Sequence, residues 1–182
     1  MNQNRIRSMI TAGVLIAMGI LLPMVLHSIP NAGSIFLPMH IPVLLAGLLL
    51  SWPWALAVGV LTPVLSSLLT GMPPMAPVPM AVIMTFELAT YAIVTSLLAR
   101  LVKGNRPWTV LYALVPAMVA GRLVAGLVVW VLVGLVGIQM KTPWLFMSGA
   151  FVTGLPGLAI QIVILPTLYY LLHRALGKQL TV

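Results

Sequence analysis

The chain has 182 residues, of which 62% are hydrophobic and 5% charged, and its mean hydropathy is +1.17. No soluble core needs that much apolar surface, so the composition excludes a soluble enzyme and points to the bilayer. Nine Lys and Arg stand against a single acid, Glu87, for a net charge of +8; they sit mostly at the ends of apolar runs, where they set topology, so they do not read as a nucleic-acid surface.

A spanning helix needs about 20 mostly apolar residues. Runs broken by proline, glycine and charge predict six spans: Ile6 to Leu26, Met39 to Ser51, Pro53 to Leu69, Pro79 to Leu101, Trp108 to Val136 and Leu145 to Leu172. The fold expected is an all-α integral membrane protein of six transmembrane helices, with residues 1–182 forming one membrane domain. The first run follows Arg5-Ile-Arg7 in the manner of a signal peptide, but it is longer than an h-region and further spans follow, so a retained helix is expected.

The second and third runs are short and are separated only by Ser51-Trp52-Pro53-Trp54, with Pro53 suited to a first helical turn. They read as a tight hairpin that need not span fully as two ideal helices. The last two runs are long enough to tilt or to extend beyond the bilayer, and Pro156 and Pro166 are expected to kink the sixth.

Basic residues fix the expected orientation. Arg5, Arg7, Arg100, Lys103, Arg106, Arg174 and Lys178 fall on one side and only Lys141 on the other, with Arg122 set aside as intramembrane. That asymmetry predicts both termini in the cytoplasm of a cell-membrane protein. Three connections then lie outside: His27 to Pro38, Thr70 to Val78, and Gly137 to Trp144. Asn31-Ala-Gly33 and Gly71-Met-Pro-Pro74 are turn chemistry within them. No internal repeat stands out, which gives no support to an inverted-repeat secondary transporter.

The stretches Pro38-Met-His-Ile-Pro-Val-Leu-Leu-Ala-Gly47, Gly59-Val-Leu-Thr-Pro63 and Leu68-Leu-Thr-Gly-Met-Pro-Pro74, followed by Phe86-Glu-Leu88 and Tyr91, resemble the substrate-binding S components of energy-coupling factor transporters. The resemblance extends to size, helix count and cytoplasmic termini. It implies a subunit that captures a water-soluble vitamin or precursor outside the cell and associates with a transmembrane coupling subunit and two ATPase subunits. It also implies a docking motif of small residues four apart on the first helix, matched here by Gly13-Val-Leu-Ile-Ala17, with Ser8 to Ala12 one register earlier. Small-x-x-x-small pairs equally serve packing within a chain's own bundle, so both roles stay open for Gly13 and Ala17. No Gly-x-x-x-x-Gly-Lys-Ser/Thr motif is present, so ATP-derived energy has to come from partners.

Charged groups at membrane depth are costly and usually face a bundle interior or a wet cavity, which selects Glu87 and Arg122. Counted from the outer ends of their runs, they lie about 12 and 21 Å deep at about 1.5 Å per residue. They can form an ion pair that fixes helix packing, or Arg122 can meet a substrate carboxylate while Glu87 accepts from hydroxyl, amide or amine groups. Tyr91 shares the face of Glu87 one turn on.

His40, at the outer start of the second span, is either a ligand contact or a helix-terminal histidine bonded to a loop, and three scattered histidines make no metal site. Gln161, midway along the sixth span, needs a partner that a substrate or another helix can supply. Thr62 and Ser66 are expected to bond the carbonyls of their own helix. Asn31, Met72 and Lys141 fall in the outer loops, where a lid would be built, and Lys141 would attract an anion. Trp52, Trp54, Trp108 and Trp144 fit interfacial belts, whereas Trp130 lies well inside a run. The twelve methionines read as adaptable packing.

The substrate expectation is pantothenate, small, anionic and amide-rich, matched to Arg122, Lys141 and Gln161. The competing expectations are an autonomous small-solute permease and a structural partner protein. A membrane-embedded enzyme is poorly served by one acid and by the absence of Gly-x-Ser-x-Gly and His-Glu-x-x-His motifs. No cofactor or metal is expected.

Overall fold

The computed structural model describes residues 3–26, 32–76, 78–101, 107–135, 137 and 143–176. Among them every regular element is helical: α1 (Gln3–Leu26), α2 (Ala32–Phe36), α3 (His40–Leu49), α4 (Trp52–Thr70), α5 (Met80–Leu101), a 3-10 turn (Pro107–Val110), α6 (Leu111–Gly134) and α7 (Pro143–Leu176). Among the described residues five helices are long and apolar enough to cross a membrane: α1, α4, α5, α6 and the Val152–Leu172 part of α7.

The second expected span, Met39 to Ser51, is different in kind. The ten residues of α3 rise about 15 Å, half of a bilayer core of about 30 Å. It tolerates this because it does not face lipid: all its residues but Ile41 are buried, and it packs against α1, α4, α5 and α7. A helix that is apolar all round belongs in an interior. The expected hairpin therefore holds a short inner helix and a full-length one, since α4 has 19 residues.

Local chemistry explains the ends of α4. Pro53 occupies its first turn, where the missing N–H has no intrahelical partner to lose. Gly71 closes it in the left-handed region, at φ 72°, and donates its N–H to Ser67 O, a backbone conformation that favours glycine. Proline follows at 73 and 74, after a cis Met72–Pro73 bond. Ser66 departs from the expectation that it serves its own helix: its hydroxyl donates to Met72 O at 2.6 Å, tying the turn back to α4. Thr62 follows the expectation, donating to Val58 O at 2.6 Å.

Gly33 differs as well, because Ala32–Phe36 forms a short helix where turn chemistry was expected. The helix α2 lies on α7.

The long helices pack in the order α1, α4, α5, α6, α7 around α3. Close approach depends on small residues. A Cβ on Gly59 would stand 2.7 Å from Leu88 O and 3.0 Å from Ala89 Cα, so α4 and α5 meet backbone to backbone there. α5 is tied to the end of α3 by Ser96, whose hydroxyl donates to Leu50 O at 2.9 Å. α1 is the least buried of the five spans. It turns Ser8, Ala12, Leu15 and Gly19 inward and leaves Gly13 and Ala17 exposed. Trp52, Trp108 and Trp130 are exposed on the bundle surface, so Trp130 faces outward at span depth.

Candidate functional site

Four helices deliver one polar side chain each, or two in the case of α5, to a common interior point beside Leu37. Glu87 and Tyr91 come from α5, one turn apart; His40 is the first residue of α3; Arg122 comes from α6 and Gln161 from α7. His40, Glu87, Tyr91 and Gln161 are buried, and the Arg122 side chain is 15% exposed.

Glu87 is the hub. Its Oε1 lies 3.1 Å from Arg122 Nη1 and 3.6 Å from His40 Nε2, and it accepts a hydrogen bond from the Tyr91 hydroxyl at 3.1 Å. The rings of His40 and Tyr91 meet edge to face, with centroids 5.3 Å apart, a favoured aromatic geometry. The chain's single acid thereby meets the Arg122 guanidinium and the Tyr91 hydroxyl, with the His40 ring close by. That arrangement makes an ionised carboxylate tolerable in an apolar interior.

α6 ends at Gly134, two residues before the expected Val136, and α5 begins at Met80, one after the expected Pro79. The counted depths therefore still differ by about 7–8 Å at about 1.5 Å per residue, a gap that the long arginine side chain spans.

Gln161 has a backbone partner. Its Nε2 donates to Leu37 O at 3.4 Å. Leu37 stands at φ 50°, a left-handed conformation costing a non-glycine residue about 1–2 kcal/mol. The same carbonyl accepts the His40 backbone N–H at 3.0 Å, and the Leu37 N–H reaches Gly33 O at 3.2 Å, so hydrogen bonds on both sides of the residue hold that conformation.

The cluster is not saturated from within. Both ring nitrogens of His40, Nε and Nη2 of Arg122, and Oε1 of Gln161 are buried without a hydrogen-bond partner among the described residues. Buried polar groups in native proteins are paired in the large majority. Five such atoms belong to this cluster, and Thr95 Oγ1, one turn beyond Tyr91 on α5, is a sixth.

The structure thus brings together His40, Glu87, Tyr91, Arg122 and Gln161, five of the intramembrane residues weighed from the sequence, while Thr62 and Ser66 make their bonds elsewhere. Asn31 and Lys141 lie outside the described residues. Met72 is described and half-exposed, at the turn after α4. Gly13 and Ala17 share the outward face of α1, and a Cβ on Gly13 would meet nothing within 4 Å.

Four residues that support the site carry no signal of their own in the sequence pattern. Leu37 offers the carbonyl that Gln161 takes. Gly121 leaves room for the Tyr91 ring, which a Cβ there would overlap. Gly154 and Gly157 let Arg122 and α2, respectively, approach α7. The one pattern that points toward them is the spacing Gly154, Gly157, Gln161, which falls on one helical face.

A family model described as "ECF transporter, substrate-specific component" matches residues 7–169. Comparison with curated proteins and with solved structures found no match.

Proposed function

This chain belongs to the substrate-specific components of ECF transporters, and on that premise we propose that it captures a small water-soluble vitamin or precursor at the extracellular side through the cluster around Glu87. As a multi-pass protein of the cell membrane it is a transport subunit and not an enzyme. The observation that carries the proposal is the set of buried, unpartnered polar atoms on His40, Arg122 and Gln161, all converging beside a neutralised Glu87–Arg122 pair. A site that is mostly apolar with a few convergent polar groups is the usual form of a small-molecule site. Pantothenate fits this donor and acceptor set: its carboxylate suits Arg122, and its amide and hydroxyl groups suit Gln161 and His40. Asn31 and Lys141 belong to the outer loops of the same reading, with Lys141 attracting an anion. The basic residues Arg5, Arg7, Arg100 and Arg174 support cytoplasmic termini.

The test is thermal stability of the purified protein against a panel of vitamins and precursors. A ligand at 100 times its dissociation constant adds about 2.7 kcal/mol to the folded state. One saturable shift, diminished by Glu87→Gln, is the expected result. A complete panel with no shift, or uptake of solute by this chain alone in liposomes, would leave a permease or a structural subunit in its place.

Energy coupling is proposed to enter through α1. Gly13 and Ala17 are exposed four residues apart on the least buried span, which leaves a groove where a helix of the coupling subunit approaches closely; that subunit carries the two ATPases. Widening both positions with Gly13→Leu and Ala17→Leu is expected to abolish co-purification with the coupling subunit while ligand binding persists. Unchanged co-purification moves docking to another face.

A further inference from the structure

Arg122 uses its guanidinium in two directions. Nη1 is committed to Glu87 Oε1 at 3.1 Å, whereas Nε and Nη2 are buried and have no hydrogen-bond partner among the described residues. Nη2 is the terminal nitrogen on the N–H side of Nε, so these two nitrogens form one complete edge of the planar group. Two parallel N–H donors on one edge are the fork that takes a carboxylate in a bidentate pair.

Gly154 stands at that edge. A Cβ on residue 154 would lie 3.1 Å from Arg122 Nη2 and 3.2 Å from Leu37 Cδ1. The contrast with Gly157, one turn later, is informative. There a Cβ would meet backbone, 2.8 Å from Phe36 C, and the missing side chain serves helix packing. At 154 the nearest neighbours are side-chain atoms of Arg122 and Leu37, so an added side chain would crowd the fork itself.

Charge limits what the fork receives. Arg122 and Glu87 cancel, and no other Arg or Lys lies in this cluster among the described residues. A carboxylate adds one negative charge; a phosphate ester adds about −1.5 to −2 at neutral pH with no second cation to meet it.

We infer that the Nε–Nη2 edge of Arg122 receives a single substrate carboxylate in a bidentate pair, and that Gly154 is a specificity-determining residue because a side chain there would crowd that edge. This rests on the proposed substrate site. It adds the recognition atoms and a residue whose only contribution is clearance.

The experiment measures binding to the full-length protein in detergent for three acids and their neutral counterparts: pantothenate and panthenol, nicotinate and nicotinamide, biotin and biotin amide. Riboflavin and thiamine are included as vitamins without a carboxylate. One acid is expected to bind about 100-fold more tightly than its neutral counterpart, the size of a charge-assisted bidentate pair. Gly154→Ala is expected to reduce that preference about tenfold or more at unchanged unliganded stability, and Arg122→Lys, which keeps charge and loses the fork, to reduce it similarly. Should Gly154→Ala fold poorly, the Arg122→Lys ratio decides. Equal binding of acid and neutral forms overturns the inference, as does a preference that both variants leave intact. Saturable binding of riboflavin or thiamine that Glu87→Gln abolishes also overturns it while leaving the substrate site standing. Absence of binding across the whole set removes both.

Discussion

Arg122→Met is expected to cost about 3–5 kcal/mol of stability, because it removes one partner of a buried ion pair and leaves Glu87 without its guanidinium. Glu87 would keep the Tyr91 hydroxyl at 3.1 Å and His40 Nε2 at 3.6 Å, neither of which replaces the close guanidinium contact. Glu87→Gln is the milder change: an amide still accepts from Tyr91, and Arg122, 15% exposed, keeps some access to its surroundings. The double variant Arg122→Met, Glu87→Gln removes both charges at once and is expected to recover most of the loss, since an apolar replacement of a buried pair is often neutral or better. Residues in direct contact couple strongly in such a cycle. Ligand binding separates the two roles of the pair. If the pair serves packing alone, the double variant recovers binding together with stability. The expected result is recovery of stability without recovery of binding, since the free Nε–Nη2 edge is gone. A fully stable Arg122→Met protein would mean that the ion pair contributes nothing to the fold.

The sequence makes some of this visible and not the rest, for physical reasons. Depth along a helix follows from counting residues, so the sequence alone places Glu87 and Arg122 inside the bilayer. Azimuth does not follow from counting. Whether the two charges touch depends on how α5 and α6 are turned toward each other, and that is fixed by packing across their whole length. His40 is legible as the start of a span, yet its burial comes from α3 being an inner helix half the thickness of the bilayer core, enclosed by four others. Hydropathy cannot distinguish a short lipid-facing run from a short enclosed one.

Gln161 illustrates a different limit. A lone amide inside a span announces that it needs a partner, but its partner is the Leu37 carbonyl, made available by a left-handed residue that is not glycine. No local pattern at Leu37 predicts that conformation. The helix α2 is hidden behind the turn-forming residues Asn31 and Gly33 in the same way. Glycines 121, 154 and 157 look like ordinary small residues of membrane helices because what they accommodate comes from another element: a ring, a guanidinium and a short helix.

Gly121→Ala tests the most demanding of these accommodations. Helix propensity alone favours alanine over glycine by up to about 1 kcal/mol, so an accommodating site would gain stability. Here the added methyl would overlap the Tyr91 ring and lie 3.1 Å from Glu87 O. Tyr91 cannot yield easily: it is fully buried, its hydroxyl is held by Glu87, and its ring packs edge to face against His40. Overpacking typically costs about 1–3 kcal/mol, and displacing the ring adds the loss of a buried hydrogen bond to a charged group, about 1.5–3 kcal/mol. The penalty outweighs propensity, and a net destabilisation of about 2–4 kcal/mol is expected. Because the ring is what obstructs, Tyr91→Leu should relieve it: the double variant is expected to be more stable than Gly121→Ala alone, although Tyr91→Leu by itself destabilises. Tyr91→Phe removes the hydroxyl and keeps the obstruction, so it should not rescue. Additive effects of Gly121→Ala and Tyr91→Leu in thermal unfolding would show that the two positions do not meet, and would detach Gly121 from the chain of contacts that runs through Tyr91 and Glu87 to Arg122.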